Sequence, residues 1–169
     1  MISDTFRRGV LALLLALTAL ACGGRSTGPP AEPLRLSELD ARDDPVRRAS
    51  LRLCVRGLDA DAEDRAAVAL GHYERAIQVD PTNPYAYLAL ARHEVESGDP
   101  ERALEYLDQA QMLLTSEGAL SPGAEADLSG LRGLARIALG EDGGDQLREA
   151  QRLAPDVWHD ARLDATELR

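Results

Sequence analysis

The sequence predicts an all-α protein whose antiparallel helical hairpins stack as a short solenoid. Apolar residues recur every third or fourth position through most of the chain, which is the period of an amphipathic helix. At four places a capping residue with a short polar side chain is followed by a proline at the start of a periodic segment, and this pair is typical of a helix start. Aromatic residues make up only 4% of the chain, so the core must be built from small and aliphatic side chains.

Start and stop signals divide the chain into six helices. The starts are at Asp44-Pro45, Asn83-Pro84, Asp99-Pro100 and Ser121-Pro122. A capping side chain accepts a hydrogen bond from a free backbone N–H of the first turn, and proline has no N–H to leave unpaired there. Helix ends are marked by glycines, which can adopt the left-handed conformation there, and by prolines, which prevent the helix from continuing. The predicted helices cover 45–58, 62–79, 84–96, 100–114, 124–139 and 144–153.

Residues 1–21 have the pattern of an export signal. Arg7 and Arg8 precede the uncharged stretch 9–21, which matches the apolar part of a signal peptide and is short for a bilayer span. The stretch ends Ala19-Leu20-Ala21-Cys22-Gly23, which resembles a relaxed form of the lipobox of bacterial lipoproteins. The alternatives are an ordinary signal peptide with a chance cysteine and an uncleaved membrane anchor.

The lipobox resemblance implies that Cys22 becomes the lipidated N-terminus of the mature protein. Two or three acyl chains anchor a protein stably, whereas one chain is marginal. Gly23, rather than Asp, follows the cysteine, and in this family that favours the outer membrane, facing the periplasm. Residues 22–43 are rich in Gly, Pro and charged residues and are predicted to form a flexible tether. The helical domain is predicted over 44–169.

One stretch repeats the layout of a helix, a Gly-Asp turn and a second helix. Residues 84–110 resemble a tetratricopeptide repeat: Tyr87 and Leu90 stand at large positions of the first helix, and Gly98 stands at the turn. Glu94 departs from the family pattern, which usually has an aromatic residue there. Two degenerate units flank this repeat, so the resemblance covers roughly 45–155. The remaining small and packing positions are Ala91, Ala103, Leu107 and Ala110.

The segment 157–163 is predicted to form a capping helix at the end of the solenoid. Each hairpin of a solenoid buries its second face only by stacking on the next one, so the last face needs a cover. Trp158 and Leu163 are the large apolar residues of this segment. We therefore expect these two side chains to cover the last hairpin.

Several classes of chemistry are excluded or disfavoured. The chain has no lysine and a net charge of −10, which argues against lysine-dependent catalysis and against a nucleic-acid partner. His93-Glu94 begins like a zinc-protease motif, but Ser97 stands where the second histidine is needed. The acidic turn 59–64 lacks the glycine and the final glutamate of a calcium loop. We expect no enzyme, metal or cofactor site, and we expect Cys54 to be a buried apolar residue without a disulfide partner.

The family resemblance implies a concave groove, lined by the first helix of each hairpin, that holds a protein partner. The residues placed there by the resemblance are Tyr85, Leu88, Arg92, Glu96, Leu51 and Leu58. The alternative for each is packing against a neighbouring helix. The sequence therefore predicts a membrane-anchored envelope lipoprotein that binds an unidentified envelope protein as a scaffold or assembly factor. The competing hypothesis is a self-associating structural or cell-wall-associated envelope protein.

Overall fold

The computed structural model describes residues 29–169, so the predicted signal peptide and Cys22 lie outside the described residues. The described part is all-helical and contains no strand. Its helices are α1 (Pro45–Ala62), α2 (Ala66–Val79), α3 (Pro84–Ser97), α4 (Pro100–Ser116), α5 (Pro122–Ala138), α6 (Gly144–Leu153) and α7 (Ala165–Leu168), with one 3-10 turn at Leu36–Glu38. Within this part, no helix is both long and apolar enough to cross a membrane. The predicted all-α class is confirmed.

The predicted caps form as hydrogen bonds. The Asp44 side chain accepts from the backbone N–H groups of Val46 and Arg47, and the Asn83, Asp99 and Ser121 side chains cap α3, α4 and α5 in the same way. A proline directly follows each of these four caps. Gly98 ends α3 with a φ of 83°, a left-handed conformation that glycine adopts without a steric penalty. Local sequence therefore sets these helix boundaries.

The turn between α1 and α2 lies later than predicted. α1 continues to Ala62, and α2 starts at Ala66. The turn is made by residues 63–65, where Asp64 has a φ of 57°. Asp61 is consequently helical, and its side chain points into the protein rather than into a solvated acidic turn. The Asp61 carboxylate contacts Arg92 and His93 of α3, and these contacts hold the end of the helix in place.

Three hairpins, α1–α2, α3–α4 and α5–α6, stack in chain order. The second helix of each of the first two hairpins packs on the first helix of the next, and α3 also contacts both α1 and α5. A close approach within the first hairpin depends on Gly57. A Cβ at this position would lie 2.2 Å from Cε1 of Tyr73, so only glycine lets the buried tyrosine ring lie against α1.

Polar side chains join the first hairpin to the second. Asn83 is fully buried, and its Nδ2 donates to Oγ of Ser50 at 2.9 Å. The Ser50 hydroxyl donates in turn to the carbonyl of Ala76 at 2.8 Å. Nε of Arg47 donates to Oδ2 of Asp80 at 2.5 Å. Each of these polar groups therefore has a hydrogen-bond partner, which offsets the cost of removing it from water.

Residues 31–39, predicted to be part of the tether, pack on the helices. Leu34 and Leu36 are buried, the N–H of Ala31 donates to the carbonyl of Leu153 at 2.7 Å, and the N–H of Ser37 donates to the carbonyl of Arg169 at 2.9 Å. The flexible-tether prediction is therefore wrong for this stretch. The reason is its apolar content, because burying leucines stabilises by about 2 kcal/mol each. Residues 22–28 lie outside the described part.

The capping helix predicted at 157–163 is also corrected. These residues form turns and bends, and the only helix of the tail is the single turn α7. Trp158 is nevertheless fully buried and packs on α5 of the last hairpin, as predicted for this side chain, although not from a helix: a Cβ on Gly130 would lie 2.3 Å from its ring. Of the residues of α6, only Ala150 is buried. The polar outer face of α6 needs no cover, and the tail is free to fold back.

Candidate partner-binding surface

The predicted groove residues do not line an open groove. Leu58 and Leu88 have no exposed surface, Arg92 is 1% exposed, and Leu51 is 6% exposed. Tyr85 is half-buried, and of the six predicted residues Glu96 alone is exposed. The prediction that these side chains form a surface open to a partner is therefore wrong for four of the six, and the alternative, packing within the protein, holds for them.

The chain's own C-terminal tail occupies the concave side. The Leu163 carbonyl accepts from Nη1 of Arg92 at 3.4 Å, and Nη2 of Arg162 lies 2.7 Å from Oε1 of Glu96. Arg169 is hydrogen-bonded to Asp59 of α1. The pocket left between α3, α5 and the tail measures about 30 Å³, which is room for roughly one water molecule. A peptide cannot enter this space.

A cluster of buried polar side chains lies beneath the tail. Oδ2 of Asp61 accepts from Nη2 of Arg92 at 2.5 Å and from the Tyr73 hydroxyl at 2.8 Å. Oδ1 of Asp61 lies 2.9 Å from Nδ1 of His93. Burial opposes ionisation of this carboxyl, but the hydrogen bond from His93 and the charge of Arg92 outweigh it and hold the pKa of Asp61 below its usual value. Sequence spacing gave no signal for this cluster, since Asp61 and Arg92 are on different hairpins.

Ser97, His93 and Asp61 lie in the order of a catalytic triad, but the hydrogen bonds around them favour a structural role. Oγ of Ser97 lies 3.3 Å from Nε2 of His93, which contacts Asp61 on its other side. Acyl transfer also requires free N–H donors for a developing oxyanion. The N–H groups of Gly98 and Asp99, next to this serine, both donate to the carbonyl of Glu94. These two N–H groups are therefore not free to stabilise an oxyanion, and the hydrogen bonds of the cluster join α1 to α3.

Glu94, the residue that departs from the repeat pattern, is buried and faces a cation. Its Oε1 lies 3.1 Å from Nη1 of Arg102 on α4. Burial raises the pKa of Glu94, while the charge of Arg102 lowers it, and burial is the larger effect. An ion pair with the second helix thus replaces the aromatic contact that the family pattern leads one to expect.

A recess of about 560 Å³ lies outside the concave side, between residues 36–42 and α1. We call it the arginine cleft. Leu36, Leu39, Leu51 and Val55 supply its apolar surface, and Arg42, Arg48, Arg52 and Arg56 supply its positive charge. Leu51 was predicted to face a partner, and it does line a cleft, although on a different side of α1.

The described part of the chain contains neither a reactive thiol nor a metal site. Cys54 is a buried, free thiol, and burial raises its pKa to about 12, so it is protonated at neutral pH. Within residues 29–169 no three histidine, cysteine or acidic side chains are grouped so that they could hold a metal ion.

Comparison with known families agrees with the repeat architecture. A sequence model of the tetratricopeptide repeat family matches residues 62–116, which run from the end of α1 through α4. No curated protein and no solved structure matches the chain at a significant level. The matched segment and the stacked hairpins define a short solenoid with tetratricopeptide-like repeats. Repeats of this kind typically form scaffolds for protein–protein interaction.

Proposed function

We propose that this chain is a lipid-anchored protein of the bacterial cell envelope whose helical repeats bind a protein partner, as a scaffold or assembly factor. Its place would be the outer membrane, facing the periplasm. The observation that carries the binding part of the proposal is the stack of hairpins with its repeat-family match at 62–116. The anchoring part rests on the charged, apolar and lipobox segments that end at Cys22.

The distance between anchor and domain supports a role close to the membrane. The packed domain begins at Ala31, so only residues 23–30 separate it from the lipidated cysteine. Eight extended residues span at most about 30 Å. The domain would therefore meet partners at or near the membrane surface rather than reach far into the periplasm.

The anchor is tested by changing Cys22→Ser in the full chain. We expect the variant to lose incorporation of radiolabelled fatty acid and to leave the membrane fraction, because the lipid is the proposed attachment. Cys54→Ser is the matched control, since its buried thiol should carry no lipid. Continued labelling of the Cys22 variant would contradict the lipobox interpretation.

Because the chain has no lysine, partner binding is tested with a carboxyl-reactive crosslinker in intact envelopes, followed by purification of the full chain and identification of crosslinked peptides. A scaffold should give a reproducible crosslink between its helical domain and one other protein. Crosslinks only between copies of this chain, together with an oligomer by light scattering, would favour the self-associating structural protein instead.

A further inference from the structure

The arginine cleft concentrates positive charge on a strongly acidic protein. The whole chain carries a net charge of −10, yet Arg48, Arg52 and Arg56 recur every fourth residue along one exposed face of α1. At 1.5 Å per residue this row is about 12 Å long. Its length matches two turns of a helix or about four residues of an extended peptide.

The arginines of this row differ from most other arginines of the described residues because they have no acidic partner. Within the described part of the chain, none of the three lies within 4.0 Å of a carboxylate oxygen; Arg48 donates instead to the carbonyl of Arg42 at 2.9 Å. By contrast, Arg47, Arg92, Arg102 and Arg162 all form ion pairs. In a chain with an excess of carboxylates, three neighbouring unpaired guanidinium groups are available to an external anion.

The cleft also has an apolar floor and a second wall. Leu51 is almost fully buried and Val55 is half-buried beneath the arginine row. The opposite wall is the stretch 36–42, whose acidic residues in the cleft are Glu38 and Asp40, and Asp40 is already 3.4 Å from Nε of Arg42. A ligand that fits this cleft must combine carboxylates for the arginines with an apolar group for the floor.

We propose that the arginine cleft binds an acidic segment of a partner protein, with carboxylates on Arg52 and Arg56 and one apolar side chain on the half-buried Leu39 and Val55. This inference deepens the proposed function and rests on it. Guanidinium groups pair with carboxylates in a bidentate geometry. The recessed floor favours a peptide over a membrane, because a flat lipid surface would meet the protruding arginines but not the leucine and valine below them.

The test measures binding of defined peptides to the full chain in detergent by fluorescence anisotropy. The probes are twelve-residue fluorescent peptides with four Glu and one Leu, the Leu placed at successive positions, and the same peptides with every Glu replaced by Gln. We expect at least one acidic peptide to bind about tenfold more tightly than its Gln counterpart, the equivalent of about 1.4 kcal/mol, and salt to weaken this binding.

The variant Arg52→Gln/Arg56→Gln should lose about tenfold in affinity for the acidic peptide, because it removes two guanidinium–carboxylate pairs. Arg75→Gln is the matched control. Arg75 is also an exposed arginine without an acidic partner among the described residues, but it lies on α2 and bonds only to Gln78. Its replacement should change affinity less than twofold, and both variants should keep the wild-type circular dichroism.

Four results would overturn the inference: no acidic peptide bound by the wild type, equal loss in Arg75→Gln, arginine-dependent binding of phosphatidylserine vesicles without peptide binding, or an arginine-dependent dimer. The crosslinking experiment separates this inference from the proposed function. If Arg52→Gln/Arg56→Gln crosslinks the partner as well as the wild type, the cleft is wrong and the scaffold stands. If the wild type crosslinks no partner, the scaffold itself is wrong.

Discussion

The concave side and the arginine cleft both border α1, but they differ in the exposure of their charged and apolar side chains. On the concave side, the tail covers the leucines, and Arg92 is buried against Asp61 at 2.5 Å. In the cleft, Arg52 and Arg56 are exposed, and the apolar floor is only partly covered. The comparison teaches that a repeat pattern identifies a helix face without showing whether the chain itself occupies that face.

Replacing Trp158→Ala should have the largest effect on the concave side. The change empties a fully buried site and removes the hydrogen bond that Nε1 donates to Oδ1 of Asp127 at 3.0 Å, so we expect a loss of about 5 kcal/mol in the free energy of unfolding. Urea denaturation measures it. Trp158→Phe, which keeps most of the packing, should lose much less. A loss below about 1 kcal/mol for Trp158→Ala would mean that the tail does not fill the groove.

Replacing one arginine from each region tests the contrast in charge directly. Arg92→Ala leaves the Asp61 carboxylate buried without its cation and should cost about 3–5 kcal/mol. Arg52→Ala removes no ion pair among the described residues and should change stability by less than about 0.5 kcal/mol. Both values come from the same denaturation experiment. Similar costs for the two substitutions would erase the distinction between the two regions.

Asp127 makes the concave side sensitive to pH. Burial raises its pKa to about 7, while the hydrogen bond from Trp158 opposes the shift; the ordinary value, which applies to the unfolded chain, is 3.8. The folded state therefore holds this proton more tightly. Its contribution to stability is complete below pH 4 and is lost as pH rises towards 7, by an amount on the order of 2–4 kcal/mol.

The measurement is the free energy of unfolding between pH 5 and pH 8 for the wild type and for Asp127→Asn. The wild type should lose stability over this interval, and the variant, which has no proton to release at this position, should show a flatter profile. Asp61 and Asp80 do not disturb the comparison, because their pKa values are lowered and they titrate at more acidic pH. Parallel profiles for the two proteins would contradict the assignment.

Two helical glycines provide the smallest and most local test. Gly130→Ala should lower the free energy of unfolding by about 1–3 kcal/mol, because the added Cβ would overlap the Trp158 ring at 2.3 Å. Gly71→Ala, where nothing lies within 4 Å of the added Cβ, should instead stabilise α2 by about 0.5–1 kcal/mol. The opposite signs would place the tail on α5. Stabilisation by both substitutions would show that the ring is elsewhere.

The helices were predictable because their signals are local. Asp44, Asn83, Asp99 and Ser121 cap the helices that the sequence assigns to them, and a cap involves only the next two or three residues. The burial of Cys54 followed from helical periodicity for the same reason. The predicted end of α1 was wrong, because a distant group determines it. α1 extends to Ala62, and Asp61 contacts Arg92 of another hairpin. Helical spacing within one segment cannot reveal such a contact.

The candidate site was harder to predict than the fold. The family pattern correctly placed Leu58, Leu88 and Arg92 on first helices, but it could not show that Leu163 and Arg169 return to cover that side. The arginine row had a visible spacing in the sequence, at 48, 52 and 56. Its significance depends on the fact that none of the three forms an ion pair within residues 29–169, which only the arrangement of the helices establishes.

The sequence by itself determined the helical class, the hairpin order and the caps, because periodicity and capping act over one or two helical turns. Tertiary structure alone decided that the segments 31–39 and 155–169 fold onto the first helices, and that Arg92 is buried while Arg52 is exposed. The physical reason is that apolar burial and ion pairing depend on distances in space. Both segments carry buried apolar residues whose partners are distant in the sequence, and the ion pair of Arg169 with Asp59 joins positions that are 110 residues apart.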